Sequence, residues 1–419
     1  MLYSPCMRAG LVACLFAFVA WAPLALSKAR PSGETVRELS ALVSRAIDSN
    51  PSIQASRAAV DAAKARLTGA GLPLFNPELE MEAERTDIDT VRLGVRQTVD
   101  WHDKKGALQQ VARTELAAAE ARLDALRLSK AGELLDAVGR VVTRRQISAL
   151  SKRRATLLER FARLAKRRYA AGDISLAELQ LARLSLAEAV MRHASDAATL
   201  IEANSDFFAL SGQTLDARIE IPESLPASLS ASDNETLARH HPRIQVAQRM
   251  AQAARQRIQA VARQRKADPT FGLAAGRDGN ENLLALSFSM PLQVRNRFLN
   301  DVDAARADAL QAERQAQQTY RNLLAALQGA QARYRVAARA WSRWIAEGRV
   351  SLRKRLGLLE TLWKSGEINT TDYLFQVQQT LDTRIAAVEL HGKLWSAWIE
   401  WLRASATLTP WLNTAGKEL

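Results

Sequence analysis

The sequence is poor in cysteine and aromatic residues, and beyond its first 29 positions it has no long apolar run. Only 2 of the 419 residues are cysteine, and both, Cys6 and Cys14, precede residue 30. No disulfide framework and no thiolate metal site is therefore expected in the rest of the chain. The 12 prolines are absent from two stretches, residues 78 to 221 and 292 to 409. Long helices explain such gaps, because an interior proline removes a hydrogen bond and clashes with the preceding turn. The 75 alanines favour the same state. An all-β, collagen-like or disordered chain is excluded by this composition. Past residue 29 nothing approaches the roughly 20 apolar residues of a spanning helix, so insertion into a bilayer would have to be as a β-barrel.

Charge is plentiful and unbalanced: 58 Lys and Arg against 44 Asp and Glu give a formal net charge of +14. The arginines are scattered at helical spacing, and no basic run alternates with aromatics as a base-stacking surface would, so no nucleic-acid partner is expected. The five histidines, His102, His193, His240, His241 and His391, lack ligand spacing. No glycine-rich phosphate loop or nucleophile elbow is present. Neither an enzyme, a metal site nor a cofactor is expected. Residues 1–29 read as a secretory signal, with Arg8 before the apolar run Leu11 to Ala22 and small residues ahead of cleavage after Ser27 or Ala29.

An internal repeat organises the remainder. Pro51-Ser52-Ile53-Gln54 returns as Pro242-Arg243-Ile244-Gln245, and Asn76-Pro77 as Asp268-Pro269. Gly172-Asp173-Ile174-Ser175 with Glu178 returns as Gly366-Glu367-Ile368-Asn369 with Asp372. The offsets are 191, 192 and 194 residues. The spacing divides the chain into a first repeat (30–212), a linker rich in serine with Pro222 and Pro226 (213–234), a second repeat (235–404) and a C-terminal tail (405–419). Each repeat reads as a helix of about 35 residues (35–70 and 234–267), two short strands, a very long helix (104–169 and 297–364), a glycine turn and a last helix. In the long helix Leu116, Ala119, Leu123 and Leu126 step by three and four, a narrow coiled-coil seam. Some 66 residues of helix extend about 100 Å at roughly 1.5 Å per residue. The two shorter helices of a repeat, stacked end to end, would run beside it.

The strand segments are assigned by period two. Residues 78–86 set Glu80, Glu82 and Glu84 against Leu79, Met81 and Ala83. Residues 90–100 set Arg92 and Arg96 against Val91, Leu93 and Val95. In the second repeat the same pattern covers 269–276 and 283–291, with Phe271 and Leu273, then Leu284, Leu286 and Phe288, on the apolar side. Turns at 86–89 and 277–282 would close two hairpins. One apolar and one polar face is what a transmembrane barrel requires, but the smallest barrels have about eight strands, so four must be completed by other copies; three copies would supply 12.

Taken together, these features resemble the TolC-like outer-membrane efflux family. The most specific match is the helix-hairpin tip, found at 168–178 as Arg168-Tyr169-Ala170-Ala171-Gly172-Asp173-Ile174-Ser175 with Glu178, and again at 363–373. Gln97-Thr98-Val99-Asp100 and Ser287-Phe288-Ser289-Met290-Pro291 look like the cobalt-zinc-cadmium branch. The chain departs from that branch where Arg297 is followed by Phe298 and not the usual Gln-Gly, and where the first long helix begins with His102-Asp103 in place of the usual glycine. The resemblance implies a mainly α fold with a small membrane β part: a homotrimer whose α-barrel is continuous with a 12-stranded β-barrel in outer-membrane lipid. It also implies a passive exit duct fed by a proton-driven inner-membrane pump of the resistance-nodulation-division type through a periplasmic adaptor, with divalent heavy-metal cations as cargo. Drug efflux or type I protein secretion is the alternative, and a periplasmic coiled-coil adaptor a more distant one. Under the resemblance, Arg168, Tyr169, Gly172, Ile174, Ser175, Gly366, Ile368 and Asn369 would dock the adaptor. Glu178, Asp372, Tyr373 and Phe375 would line the periplasmic aperture, and Glu80, Glu82, Glu84, Arg92 and Arg96 would face the barrel lumen.

Overall fold

The computed structural model describes residues 32–414 apart from 86–88, 227–228, 230–232 and 366. The expected signal, the tip of the first strand turn and Gly366 lie outside the described residues. The first repeat comprises α1 (Ser32–Ser49), α2 (Pro51–Ala70), β1 (Glu78–Arg85), β2 (Asp89–Thr98), α3 (Lys104–Ala170) and α4 (Leu176–Ser211). The second comprises α5 (Asn234–His240), α6 (Pro242–Gln264), β3 (Thr270–Asp278), β4 (Glu281–Ser289), α7 (Leu299–Arg343), a π turn (Trp344–Gly348), α8 (Arg349–Lys364) and α9 (Thr370–Ala404). A short α10 (Leu408–Thr414) follows. This is a twofold repeat, mainly helical, with one small antiparallel sheet.

The first helix of each repeat is broken where the sequence suggested one continuous rod. Asn50 caps α2 and His241 caps α6, each followed by proline at the first helical position, where its missing N–H costs nothing. Behind the caps Ile53 and Ile244 are buried. The two caps do a second job. Asn50 Nδ2 donates to the Leu210 carbonyl at the end of α4 (3.3 Å), and His241 Nε2 donates to the Arg403 carbonyl at the end of α9 (3.1 Å). The last helix of each repeat is thereby joined end to end with the helix that continues towards the sheet, and the pair runs beside the long helix.

α3 holds 67 residues without interruption, about 100 Å of helix. Its counterpart is continuous in direction but takes a π turn at Trp344–Gly348 between α7 and α8. Two large cores lie along this length. The mid-height core joins α1, α3, α4, α7, α9 and α10 around Leu135, Phe207, Leu327, Tyr334 and Trp395, all buried. Here the connection between repeats is packed rather than loose: Leu215, Ile221 and Leu229 are buried in it. Trp341 Nε1 donates to the Glu223 carbonyl at 3.1 Å, and the Tyr334 hydroxyl donates to the Pro226 carbonyl. The tail adds Leu408 and Leu412. α3 and α9 approach closely because Gly139 has no side chain; a Cβ there would sit 2.1 Å from the Trp395 ring. The second core gathers α3, α4, α8 and α9 at the far end, with Phe161, Trp363 and Tyr373 mutually stacked at 4.9 to 5.6 Å.

Candidate functional site: the sheet and the helical tips

The four strands pair in the order β1-β2-β3-β4, all antiparallel, so the two hairpins of the two repeats join edge to edge. Gly279, at φ 58°, begins the tight turn between β3 and β4. Register places Glu82 opposite Arg92, Arg92 opposite Gly276, and Gly276 opposite Leu283. Because side chains alternate across a sheet, this alignment keeps the two faces consistent over all four strands. One face carries Leu79, Met81, Val91, Leu93, Val95, Phe271, Leu273, Leu284, Leu286 and Phe288, every one exposed. Leu286 reaches 84%. Soluble proteins rarely leave so large a contiguous apolar surface uncovered. The opposite face carries ion pairs and small residues: Arg92 pairs with Glu82 at 3.2 Å, and Arg96 with Glu78 and Glu80 at 3.3 Å each. Gly272, Ala274, Gly276, Ala285 and Ser287 fill matching positions of β3 and β4, with Leu283 the one large apolar side chain among them. Glu84 lies on this face opposite Thr90, which bonds Asp278 at 2.7 Å. Among the described residues the outer edges of β1 and β4 have no neighbouring strand.

Where strand passes into helix lies the one buried carboxylate among the described residues. Asp268 lies 2.8 Å from Lys104 Nζ and 3.5 Å from His102 Nδ1. Asp100 accepts from the Lys104 and Lys105 amides at the start of α3, both at 2.8 Å. Burial opposes the charge of Asp100, but these amide bonds and Lys104 hold its pKa below the usual carboxylate range.

At the other end, the first tip is a helix stop followed by a helix start. Gly172 takes φ 82°, which glycine adopts without strain. The Asp173 amide returns to the Arg168 carbonyl and the Gly172 amide to the Tyr169 carbonyl, closing the end of α3. Ser175 then opens α4 through a capping box: its hydroxyl accepts from the Glu178 amide at 3.2 Å, and its amide donates to the Glu178 carboxylate at 2.8 Å. In the second tip, Asn369 Oδ1 accepts from the Asp372 amide at 2.8 Å, and Asn369 Nδ2 donates to Asp372 Oδ2 at 2.9 Å. The Glu367 amide reaches the Leu362 carbonyl as Asp173 reaches Arg168.

These placements divide the residues named for docking and aperture. Tyr169 and Phe375 are exposed, and Arg168 stands over the Trp363 ring at 4.7 Å. Ile174 and Ile368 are half-buried against the tip core, and Tyr373 is buried in it between Phe161 and Trp363. Glu178 and Asp372 hold helix starts within their own chain. Trp363 opens the second tip motif and Asp268 belongs to the repeated Asp-Pro pair, but only tertiary packing shows the first as a core aromatic and the second as a buried acid. Among the described residues no helix is long and apolar enough to cross a membrane.

No protein-family model matches the chain, and neither does any curated protein. Solved structures do. A membrane protein from Pseudomonas aeruginosa superposes with a TM-score of 0.76 at 17% identity, over 88% of this chain and 93% of that one. The CmeC outer membrane channel of Campylobacter jejuni gives 0.74 at 13% identity, over 92% and 90%. The outer membrane protein VceC of Vibrio cholerae gives 0.69 at 21% identity, over 90% and 98%. Nearly the whole length is matched on both sides, so the chain shares the fold of these proteins, long helices with a small antiparallel β part.

Proposed function

We propose that this chain is one third of an outer-membrane efflux duct. Three copies close a 12-stranded barrel by joining β1 of one to β4 of the next, and their helices continue it as a tube across the periplasm. The observation that carries this reading is the sheet: ten large apolar side chains exposed on one face, paired charges and mostly small residues on the other, and two open edges. In lipid, open edges are costly and closure removes them, while the apolar face meets acyl chains and the charged face lines water. The likeness in fold to known outer-membrane channels supports it.

The duct has no energy source of its own. It is served by a proton-driven inner-membrane pump through a periplasmic adaptor that meets the tips, where Arg168, Tyr169, Gly172, Ser175 and the residues around Asn369 are presented. Asp372 and Phe375 are exposed at the start of α9 and suit an aperture, although Asp372 is engaged by Asn369 as Glu178 is by Ser175; Glu178, half-buried, suits it less, and Tyr373 less still, being buried. The proposed cargo is divalent heavy-metal cations, on the strength of the motifs at Gln97 and Ser287. Deleting the gene tests the cargo. Tolerance to cobalt, zinc, cadmium, nickel and copper is expected to fall with little change towards dyes, whereas unchanged metal tolerance with new dye sensitivity would assign the duct to drug efflux.

A further inference from the structure

Beside the π turn the chain encloses a half-open cavity of about 500 Å³, formed where the connection between repeats crosses α7, α9 and α3. Its size is that of a small-molecule site. Trp341 and Trp344 supply one wall, and His391 stacks on Trp341 with ring centroids 4.6 Å apart. The His391 Nε2–H is engaged by the Pro222 carbonyl at 3.0 Å, and burial lowers the pKa of the ring, so it adds no charge near neutrality. The π turn inserts an extra residue into the helix here, a distortion that recurs at functional sites, and it sets Trp344 on the cavity lining.

The charges on the lining are unequal. Arg349 and Glu223 form an ion pair with each other. Arg384 has no partner among the described residues. Glu220 also lines the cavity, yet no carboxylate acts on Arg384: burial first and the Arg153 cation second hold its pKa below the ordinary arginine range. Arg384 is exposed at the cavity lining beside a second cation and an aromatic wall, without a carboxylate of its own, and its guanidinium is open to an anion.

We propose that this cavity binds an aromatic monoanion, a carboxylate or sulfonate of about naphthalene size, with its charged group on Arg384 and its ring against Trp341 and Trp344. Gln146, on the α3 side, offers a second hydrogen bond. The site lies within a single chain and does not depend on the trimer or on what the duct carries. It would tie the connection between repeats to the second repeat's helices.

The test is titration of the detergent-purified full chain with 2-naphthoate, followed by tryptophan fluorescence, in the parent protein and in Arg384→Gln, Arg384→Lys and Trp344→Phe variants. Saturable quenching is expected, weakened roughly tenfold in Arg384→Gln, the loss that goes with one charge-assisted hydrogen bond. Arg384→Lys should retain most of the affinity, and Trp344→Phe should bind with a smaller signal. The neutral isostere 2-naphthylmethanol should bind about as weakly to the parent as naphthoate does to Arg384→Gln. Unsaturable quenching, equal affinity in Arg384→Gln, or equal affinity for the neutral isostere would each overturn the assignment. Thermal melts of the variants separate loss of the site from loss of the fold.

Discussion

Phe298 opens the second long helix at φ 51°, and Asp103 opens the first at φ 54°, both left-handed. Asp103 offsets its conformation by accepting from the Gly106 amide at 3.2 Å and pairing with Arg263. Phe298 makes no side-chain cap bond. Replacing Phe298 by glycine should therefore stabilise the protein by about 1 kcal/mol, the cost of a left-handed non-glycine residue; unchanged or lower melting would contradict this. His241 makes a second residue-level prediction. Burial lowers its pKa, and its Nδ1 accepts from the Arg243 amide at 3.1 Å while Nε2–H serves Arg403. Only the neutral ring does both. Its contribution is complete above the unfolded value of about 6.5 and is lost as pH falls below that towards the depressed folded value. Asn50 performs both tasks in the first repeat without titrating. His241→Asn should thus leave stability near pH 8 within about 1 kcal/mol and flatten its decline between pH 7 and pH 5, read from melting curves. An unaltered pH slope would contradict the assignment.

Among the elements, the sheet makes the sharpest prediction. Leu286 is central on β4 and the most exposed residue of the apolar face. If that face meets lipid, Leu286→Lys costs roughly 2–4 kcal/mol. If it meets water, the change stays within about 0.5 kcal/mol, as for an ordinary surface residue. Denaturant titration of protein folded into liposomes distinguishes the two, with Ser287→Lys on the opposite face as the tolerated control. The strands were legible because period two is a local signal: glutamate at every even position of Glu78 to Glu84 needs no tertiary knowledge. The breaks at Asn50 and His241 were also written locally, as a capping residue before proline, but proline also fits an interior kink, and the joints with Leu210 and Arg403 that settle the matter are more than 150 residues distant. The tip motif was plain twice over, whereas the burial of Tyr373 against Phe161 and Trp363 depends on four helices meeting. The π turn has no comparable mark, since Trp344 to Gly348 reads as ordinary helix.

On the scale of the whole molecule, the repeat accounts for the shape. Each half supplies one long helix, one jointed pair of the same reach and one hairpin, and the two hairpins fuse into a sheet that ends in open edges. On the proposed reading, a chain with this sheet is incomplete alone. Residues 30–419 contain no cysteine, so no disulfide among them can hold copies together. The central claim is that three chains close the barrel, and native mass spectrometry of the protein extracted from outer membranes in mild detergent tests it most directly. The account predicts particles of three chains that dissociate only on heating. Single chains released by osmotic shock without detergent would contradict it.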